Sequence, residues 1–169
     1  DKEPAGSGAA RRNAGYLGRV LKKSLPALMA KHGEAKGIAI YRELGEAFTG
    51  TVDFIAREAI DCRLTRHGRY IAATSTAHYD AMAVELEAMR RHLGYPYEMV
   101  PAAAQRREFG SDRYCGGAVI PDLAAIHPGL YHLGLTQRAQ GAGVTICDDV
   151  TVHAVQPEAG GISVGQVVV

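Results

Sequence analysis

Ser7-Gly-Ala-Ala-Arg-Arg-Asn-Ala-Gly15, continued by Tyr16-Leu-Gly18, is the stretch on which the reading of this chain turns. Gly8 and Gly15 bracket two arginines and an asparagine, and Leu17, Val20, Leu21, Leu25 and Leu28 follow at helical steps. A glycine-rich turn that enters a helix lets backbone N–H groups and the helix dipole converge on an anion, commonly a phosphate. Arginine adds planar, charge-assisted donors, and Asn13 can both donate and accept. The same residues also suit a flexible arm with two solvated arginines. On residue types alone both readings stand.

Outward from this stretch, the pattern predicts a helix over about 16–32 that Pro26 ends or kinks near Ser24. A second helix is predicted over about 38–61, with Tyr41, Leu44, Phe48, Val52, Ile55 and Ala59 as its core stripe. Gly45 and Gly50 weaken it, which suggests close packing against a neighbour. A strand is expected at Arg69–Ala73, then a helix capped by Ser75 or Thr76 and stopped by Gly94. Its Met82, Leu86, Met89 and Leu93 read as core. A short strand near Tyr97–Val100 leads into a short helix from Pro101 through Arg107. Tyr114–Ile120 reads as a further strand, with a bulge or close backbone approach at Gly116-Gly117. Residues 121–126 read as a loop. His127-Pro128 opens a helix to Ala139 that Gly141-Ala-Gly143 stops. Val144–Cys147 and Val150–Val155 read as strands around a solvated Asp148-Asp149 turn, and Gly160–Val169 as a strand, a gap and the start of a further strand.

A length of 169 residues with 47% hydrophobic content is enough for a real core. The net charge of +1 argues against a nucleic-acid or acidic-membrane field, and no apolar run reaches the roughly 18 residues of a membrane span. Cys62, Cys115 and Cys147 are widely spaced and odd in number, so reduced thiols in a cytoplasmic setting are expected. The seven histidines show no H-E-x-x-H or Cys/His spacing, so no metal site is predicted.

Gly8-Ala-Ala-Arg-Arg-Asn-Ala-Gly15 resembles the G-A-S-G-R-N-A/G-G segment of FAD-dependent amine and amino-acid oxidases. That family includes D-amino-acid oxidase, glycine and sarcosine oxidases and γ-glutamylputrescine oxidoreductase. Ala10 stands where the family has serine and Arg11 where it has glycine, while Arg12, Asn13 and Gly15 match. The last third resembles the family's h-P-x-x-L…L-x-x-x-A-x-x-x-G-V-x-I-x-x-x-T-x-V segment, with Thr151-Val152 at its end. The two segments in the right order extend the resemblance over nearly the whole chain. Glu43–Phe48, Val52–Ile55 and Ala125-Ile-His-Pro128 look closest to γ-glutamylputrescine-oxidase-like proteins.

The resemblance implies an α/β fold: part of an FAD-binding Rossmann-like domain with the start of an antiparallel substrate domain. Residues 1–67 would be an FAD-domain segment, 68–121 a substrate-domain segment and 122–169 the return to the FAD domain. FAD is the implied cofactor, with Arg12, Asn13, Ala14 and Gly15 along it and the main chain of Val152 beside the adenine. Tyr114 would begin a strand in the region over the flavin, although a half-buried strand tyrosine is the plainer reading. The implied partner is a small-molecule amine or amino acid, and no catalytic residue is identified. The family's G-x-G-x-x-G turn does not occur in the sequence. The chain is therefore expected to be an internal piece of a flavoenzyme, inactive by itself, leaving apolar helix faces and strand edges that favour self-association or the remaining parts of the parent. The alternative is a non-catalytic structural or interaction module with a borrowed flavoprotein fold.

Overall fold

The computed structural model describes residues 2–19, 21–158 and 161–168, with side chains as far as Val155. The expectations for Val20, Gly160 and Val169 lie outside the described residues. The chain forms two compact units, one of residues 16–56 and 64–126, the other of residues 1–15, 57–63 and 127–169.

The first unit opens with a two-residue strand, β1 (Tyr16–Leu17), where the apolar spacing predicted a helix. Tertiary pairing overrides the local pattern here. Tyr16 and Leu17 pair antiparallel with Ala125 and Ala124 of β6 (Ala124–Ala125), inside the stretch expected to be a loop. A Cβ at Gly18 would stand 2.7 Å from Leu123 Cδ2, so that backbone is pressed against its neighbour. β2 (Thr65–Arg66) pairs with the other edge of β6. The helix itself, α1 (Leu25–His32), starts at Ser24, whose hydroxyl accepts from the Ala27 N–H at 3.4 Å. Pro26 sits in its first turn, where no N–H is needed.

α2 (Glu34–Arg57) runs for 24 residues and buries Gly37, Tyr41, Phe48 and Ile55, close to the predicted stripe. Ala59 lies beyond its end with φ +49. The expected close packing is found at Gly37, where a Cβ would stand 2.8 Å from the Met29 N atom, and not at Gly45 or Gly50. α3 (Thr76–Leu93) follows the sequence in both caps. Ser75 accepts from the His78 N–H at 3.1 Å, and Gly94 adopts the left-handed conformation with its N–H on the Arg90 carbonyl.

These helices pack on an antiparallel sheet of order β3–β5–β4, formed by β3 (Arg69–Ala72), β4 (Glu98–Val100) and β5 (Gly117–Ile120). Register is set by Tyr70 opposite Val119 and Met99 opposite Ala118. The expected bulge is at Gly116, whose φ of +92 interrupts the strand between Cys115, bonded to the Ala73 carbonyl, and Gly117. Tyr114 consequently lies in a bend before the strand, not at its start. A 3₁₀ turn over Ala102–Arg107 places the buried Gln105 so that its Oε1 accepts the Gly116 N–H at 3.3 Å. Leu25, Tyr41, Met89, Tyr95 and Ile120 form the heart of one core, each large side chain contributing about 1.5–3 kcal/mol by leaving water.

The second unit is built from the loop before Tyr16, the 57–63 connection, α4 (Pro128–Gly141), and the strands β7 (Thr151–Glu158) and β8 (Gly161–Val168). His127 caps α4 by accepting the Leu130 N–H at 3.3 Å, as the His127-Pro128 reading requires. Val144–Cys147 is not a strand. The Val144 N–H turns back to the Ala139 carbonyl at 3.0 Å, so the segment completes the helix end instead of finding a partner. β8 is a single strand where the sequence suggests two with a gap between them. β7 and β8 form an antiparallel hairpin with Val152 opposite Val167, so the two edges expected to be bare satisfy each other on one side.

Candidate functional site

Residues 7–15 enter no helix. Gly15, buried with φ +70, leads into β1, and the next helix in sequence starts only at Leu25, so the loop is not the N-terminal turn of a helix. Its shape comes from short-range bonds instead. The Ser7, Arg11 and Arg12 N–H groups donate to the carbonyls of Pro4, Gly8 and Ala9 at 2.9, 3.4 and 3.1 Å, each three residues back. These are consecutive turns, in which glycine and small residues keep the backbone tight.

Asn13 organises the end of the loop. Its Oδ1 accepts the Gly15 N–H at 2.9 Å, and its Nδ2 donates to the carbonyls of Ala9 and Ala10, both at 3.2 Å. Both ends of the amide are thus engaged within the loop, the local backbone bonding at which asparagine is well suited. Arg11 is engaged too, its Nε donating to the Gly6 carbonyl at 2.6 Å. Arg12 is different: it is exposed, and its guanidinium has no hydrogen-bond or ion-pair partner among the described residues. Ala14 is exposed beside it.

The loop is tied to the return segment at two points. The Ala5 N–H donates to Asp148 Oδ1 at 2.7 Å, across 143 positions of sequence. Gly6, at φ +82, lies against His132 of α4, and a Cβ there would stand 2.5 Å from the imidazole Cε1. Only glycine meets both demands, the left-handed backbone and the missing side chain. Asp148, expected to be a solvated turn residue, is therefore a structural partner of the loop. Asp149 beside it takes φ +57, a conformation that aspartate tolerates better than most residues.

Behind the loop, the 57–63 connection is pinned to α4. The His127 N–H donates to the Cys62 carbonyl at 2.7 Å, and Arg138 donates from Nε to the Glu58 carbonyl at 2.8 Å. Tyr131 has its phenol pushed above the usual tyrosine value, first by burial and then by the nearby Cys62. Val152, on β7, is 48% exposed and so is not consumed by packing. Arg12, Asn13, Ala14, Gly15 and Val152 thus fall in one compact unit.

Sequence reasoning missed Gly6, His132 and Asp148 as supports of this loop. Gly6 carried a signal in its Gly-Ser-Gly setting, but nothing in the sequence links Asp148 to Ala5. It also missed a cluster in the other unit. There Asp122 takes ion pairs from both Arg19 and Arg66, and the two guanidinium carbons lie 5.2 and 5.7 Å from the Phe48 ring centre. Among the described residues, no group of three or more His, Cys, Asp or Glu is arranged to hold a metal, and no helix is long and apolar enough to cross a membrane.

The DAO family of FAD-dependent oxidoreductases matches residues 1–169. No curated protein matches the chain by sequence. Among solved structures, glycine oxidase from Geobacillus kaustophilus superposes with a TM-score of 0.71 at 20% identity, covering 97% of this chain and 43% of that one. L-amino acid deaminase from Proteus vulgaris gives 0.66 at 16% identity, with 96% and 36% covered. L-α-glycerophosphate oxidase from Mycoplasma pneumoniae, solved with FAD bound, gives 0.63 at 18% identity, with 94% and 39% covered. These likenesses establish the fold, and this chain spans less than half the length of each of the three structures.

Proposed function

Because the chain belongs to the DAO family of FAD-dependent oxidoreductases, we propose that it is part of an enzyme oxidising the C–N bond of an amine or amino acid. In this reading residues 1–67 and 122–169 serve the FAD domain and 68–121 the substrate domain. When bound, FAD supplies the acceptor for the hydride that leaves the carbon next to nitrogen. The chain's own residues hold and orient.

The observation that carries the reading is the division of labour between Asn13 and Arg12. Asn13 spends its whole amide on the loop's backbone, which fixes the turn. Arg12 is left with a full set of unengaged donors on a hydrogen-bonded turn. That donor set fits a cofactor rich in phosphate and carbonyl oxygens. Gly15 turns the chain back and Ala14 presents a small side chain, so the backbone there can approach a flat ligand closely. Val152 lies on β7, whose edge away from β8 carries no strand among the described residues. Asp148 and His132 keep the two segments in register through Ala5 and Gly6.

The fold does not choose the bond oxidised, since one of the similar structures is named for glycerophosphate. The C–N assignment rests on the Arg12-Asn13-Ala14-Gly15 resemblance to amine and amino-acid oxidases. Without a G-x-G-x-x-G turn, residues 1–169 alone are expected to show no turnover.

Flavin titration of the full-length protein tests the loop. Arg12→Ala and Asn13→Ala should each weaken FAD binding by about tenfold to a hundredfold, the cost of a lost charged or loop-fixing hydrogen bond. Arg90→Ala should bind as the parent does, because Arg90 sits on an exposed face of α3 beside Glu87 and Tyr97. Equal affinities in all three variants would return residues 7–15 to a solvated arm.

A further inference from the structure

The sheet β3–β5–β4 has two faces with different covers. Ile71, Met99, Ala118 and Ile120 share the face closed by the helices and belong to the main core or pack against it. By strand alternation Tyr70, Glu98, Val100, Gly117 and Val119 lie on the other face. Val100 is fully buried although it is not part of the main core. The segment of residues 101–116 lies over this second face. A Cβ at Gly116 would stand 2.5 Å from the Val100 carbonyl oxygen, and Phe109 stacks on Tyr70 with ring centres 6.1 Å apart. Tyr114 meets Phe109 edge-on at 5.4 Å.

This cover is fixed at both ends and loosely held between them. Arg107 pairs with Glu98 of β4, and the buried Gln105 accepts the Gly116 N–H on its Oε1 at 3.3 Å. The Cys115 N–H donates to the Ala73 carbonyl at 2.9 Å. On the near side the Glu108 and Phe109 N–H groups both donate to the Gln105 carbonyl, at 3.0 and 2.8 Å. Beyond them the segment is tied back by Asp112, which accepts from Arg106 Nε at 2.8 Å, and by Phe109, which is still 40% exposed. Both members of the Arg106–Asp112 pair are more than half exposed, and such pairs contribute little and are screened by salt. A Cβ at Gly110 would meet nothing within 4 Å, so the tip is unpacked. On the far side Gly116 takes φ +92, a conformation that suits glycine at a pivot.

Under the cover lies a strained partner. The Tyr70 hydroxyl is shielded from solvent and has no hydrogen-bond partner among the described residues, although the side chain as a whole is only part-buried. Burial, and then Glu108 and Tyr79, push its phenol above the usual tyrosine value, so it keeps its proton and is a donor without an acceptor. The Glu108 carboxylate is engaged by Arg107 at 3.1 Å instead. A hidden donor without an acceptor works against the closed arrangement, and exposure relieves it.

We propose that residues 108–114 are a lid on this face of the sheet, pivoting where the 3₁₀ turn ends and at Gly116. Opening gives up the Arg106–Asp112 pair and the Phe109 stack, and brings the Tyr70 hydroxyl to water or to an oxygen of an entering ligand. Loop motions of this kind run on the microsecond-to-millisecond timescale. In the proposed flavoenzyme the covered face belongs to the substrate-domain segment, but the lid does not rest on that reading.

Relaxation-dispersion NMR on the amides of the 169-residue chain tests this. Phe109, Ser111 and Tyr114 should share one exchange process that Ala118 and Val119 lack. Tyr70→Phe keeps the ring and removes the orphaned donor, so it should lower the open population about fivefold or more. Asp112→Asn removes a tie and should raise it about two- to fivefold. Raising salt from about 20 to about 500 mM should raise it in the parent, and by less in Asp112→Asn. The absence of exchange at the three lid amides would overturn the proposal, as would exchange shared equally by Ala118. So would a Tyr70→Phe lid that opens as often as the parent's, or an Asp112→Asn lid that opens no more often.

Discussion

Leu25, Ala73, Val100 and Ala118 in the unit of residues 16–56 and 64–126 are fully buried, whereas α4, in the unit of residues 1–15, 57–63 and 127–169, buries none of its fourteen residues. The first unit holds its shape by apolar area, with α1, α2 and α3 closed over a three-stranded sheet. The second is held by polar ties: Ala5 to Asp148, His127 to Cys62, Arg138 to Glu58, and the β7–β8 ladder. Leu133, Val144 and Val155 in it are each at least half exposed. Burial gives stability that no single contact decides, while polar ties give shape at low stability. Regions of the second kind open most easily and are where binding loops belong. The proposed flavin loop is in the polar unit, and the proposed lid, itself held by polar ties, lies on the apolar one.

The largest effect expected from this contrast is at Leu25. Leu25→Ala removes a fully buried side chain at the junction of α1 with the core and should cost about 2–5 kcal/mol, measured by urea unfolding. A loss below about 1 kcal/mol would mean that the core is loosely packed and that the two units do not differ in kind.

Asp122→Asn should rank second. Its carboxylate is the counter-ion for Arg19 and Arg66, both placed over Phe48, and the side chain is only 20% exposed. The amide keeps the shape but leaves two guanidinium groups facing each other without a negative charge. A cost of about 1–3 kcal/mol is expected, reduced by partial exposure. Since β2, β6 and the Arg19 segment meet here, Asp122→Asn should also broaden the amide signals of Gly18 and Ala124. A variant as stable as the parent would show that this polar cluster is ornament on an apolar scaffold.

Much of this was legible in the residues. Ser75, one of two candidate caps, and Gly94 delimit α3, Gly116 marks the bulge, and the Gly8–Gly15 and His127–Val152 segments together pointed to the family. These are signals written in one place, where a side chain either fits a backbone conformation or does not. The misreadings share a cause of the opposite kind. Leu17 has a helical neighbourhood but pairs with Ala124, and Val144 has a strand-like neighbourhood but finds no strand. Gly45 and Gly50 looked like packing glycines, and the open space around them is visible only once α3 is in position. Asp148 reads as a turn acid until Ala5 arrives from the other end of the chain. Leu17 and Asp148 depend on partners more than a hundred residues away in sequence, and Val144 on the absence of one, none of which a local pattern encodes.

The smallest effect is expected at Leu133. It sits on α4 at half exposure, bordering a shallow hollow with Leu130 and Ile60, and its neighbour Gly134 lies against Ile60. Leu133→Ala loses little buried area and no hydrogen bond, and alanine is the better helix former by a small margin. The two terms nearly cancel, so the change in unfolding free energy of residues 1–169 should lie within about 0.5 kcal/mol. In a longer protein containing this chain, the same substitution would read out something else. If another part of that protein covers the α4 face, Leu133 becomes a buried side chain there, and Leu133→Ala should cost about 2 kcal/mol or more. Matched urea titrations of the two forms decide it. A cost that is small in both would mean that α4 faces solvent in the longer form as well, and the contrast between the two units would then hold beyond residues 1–169.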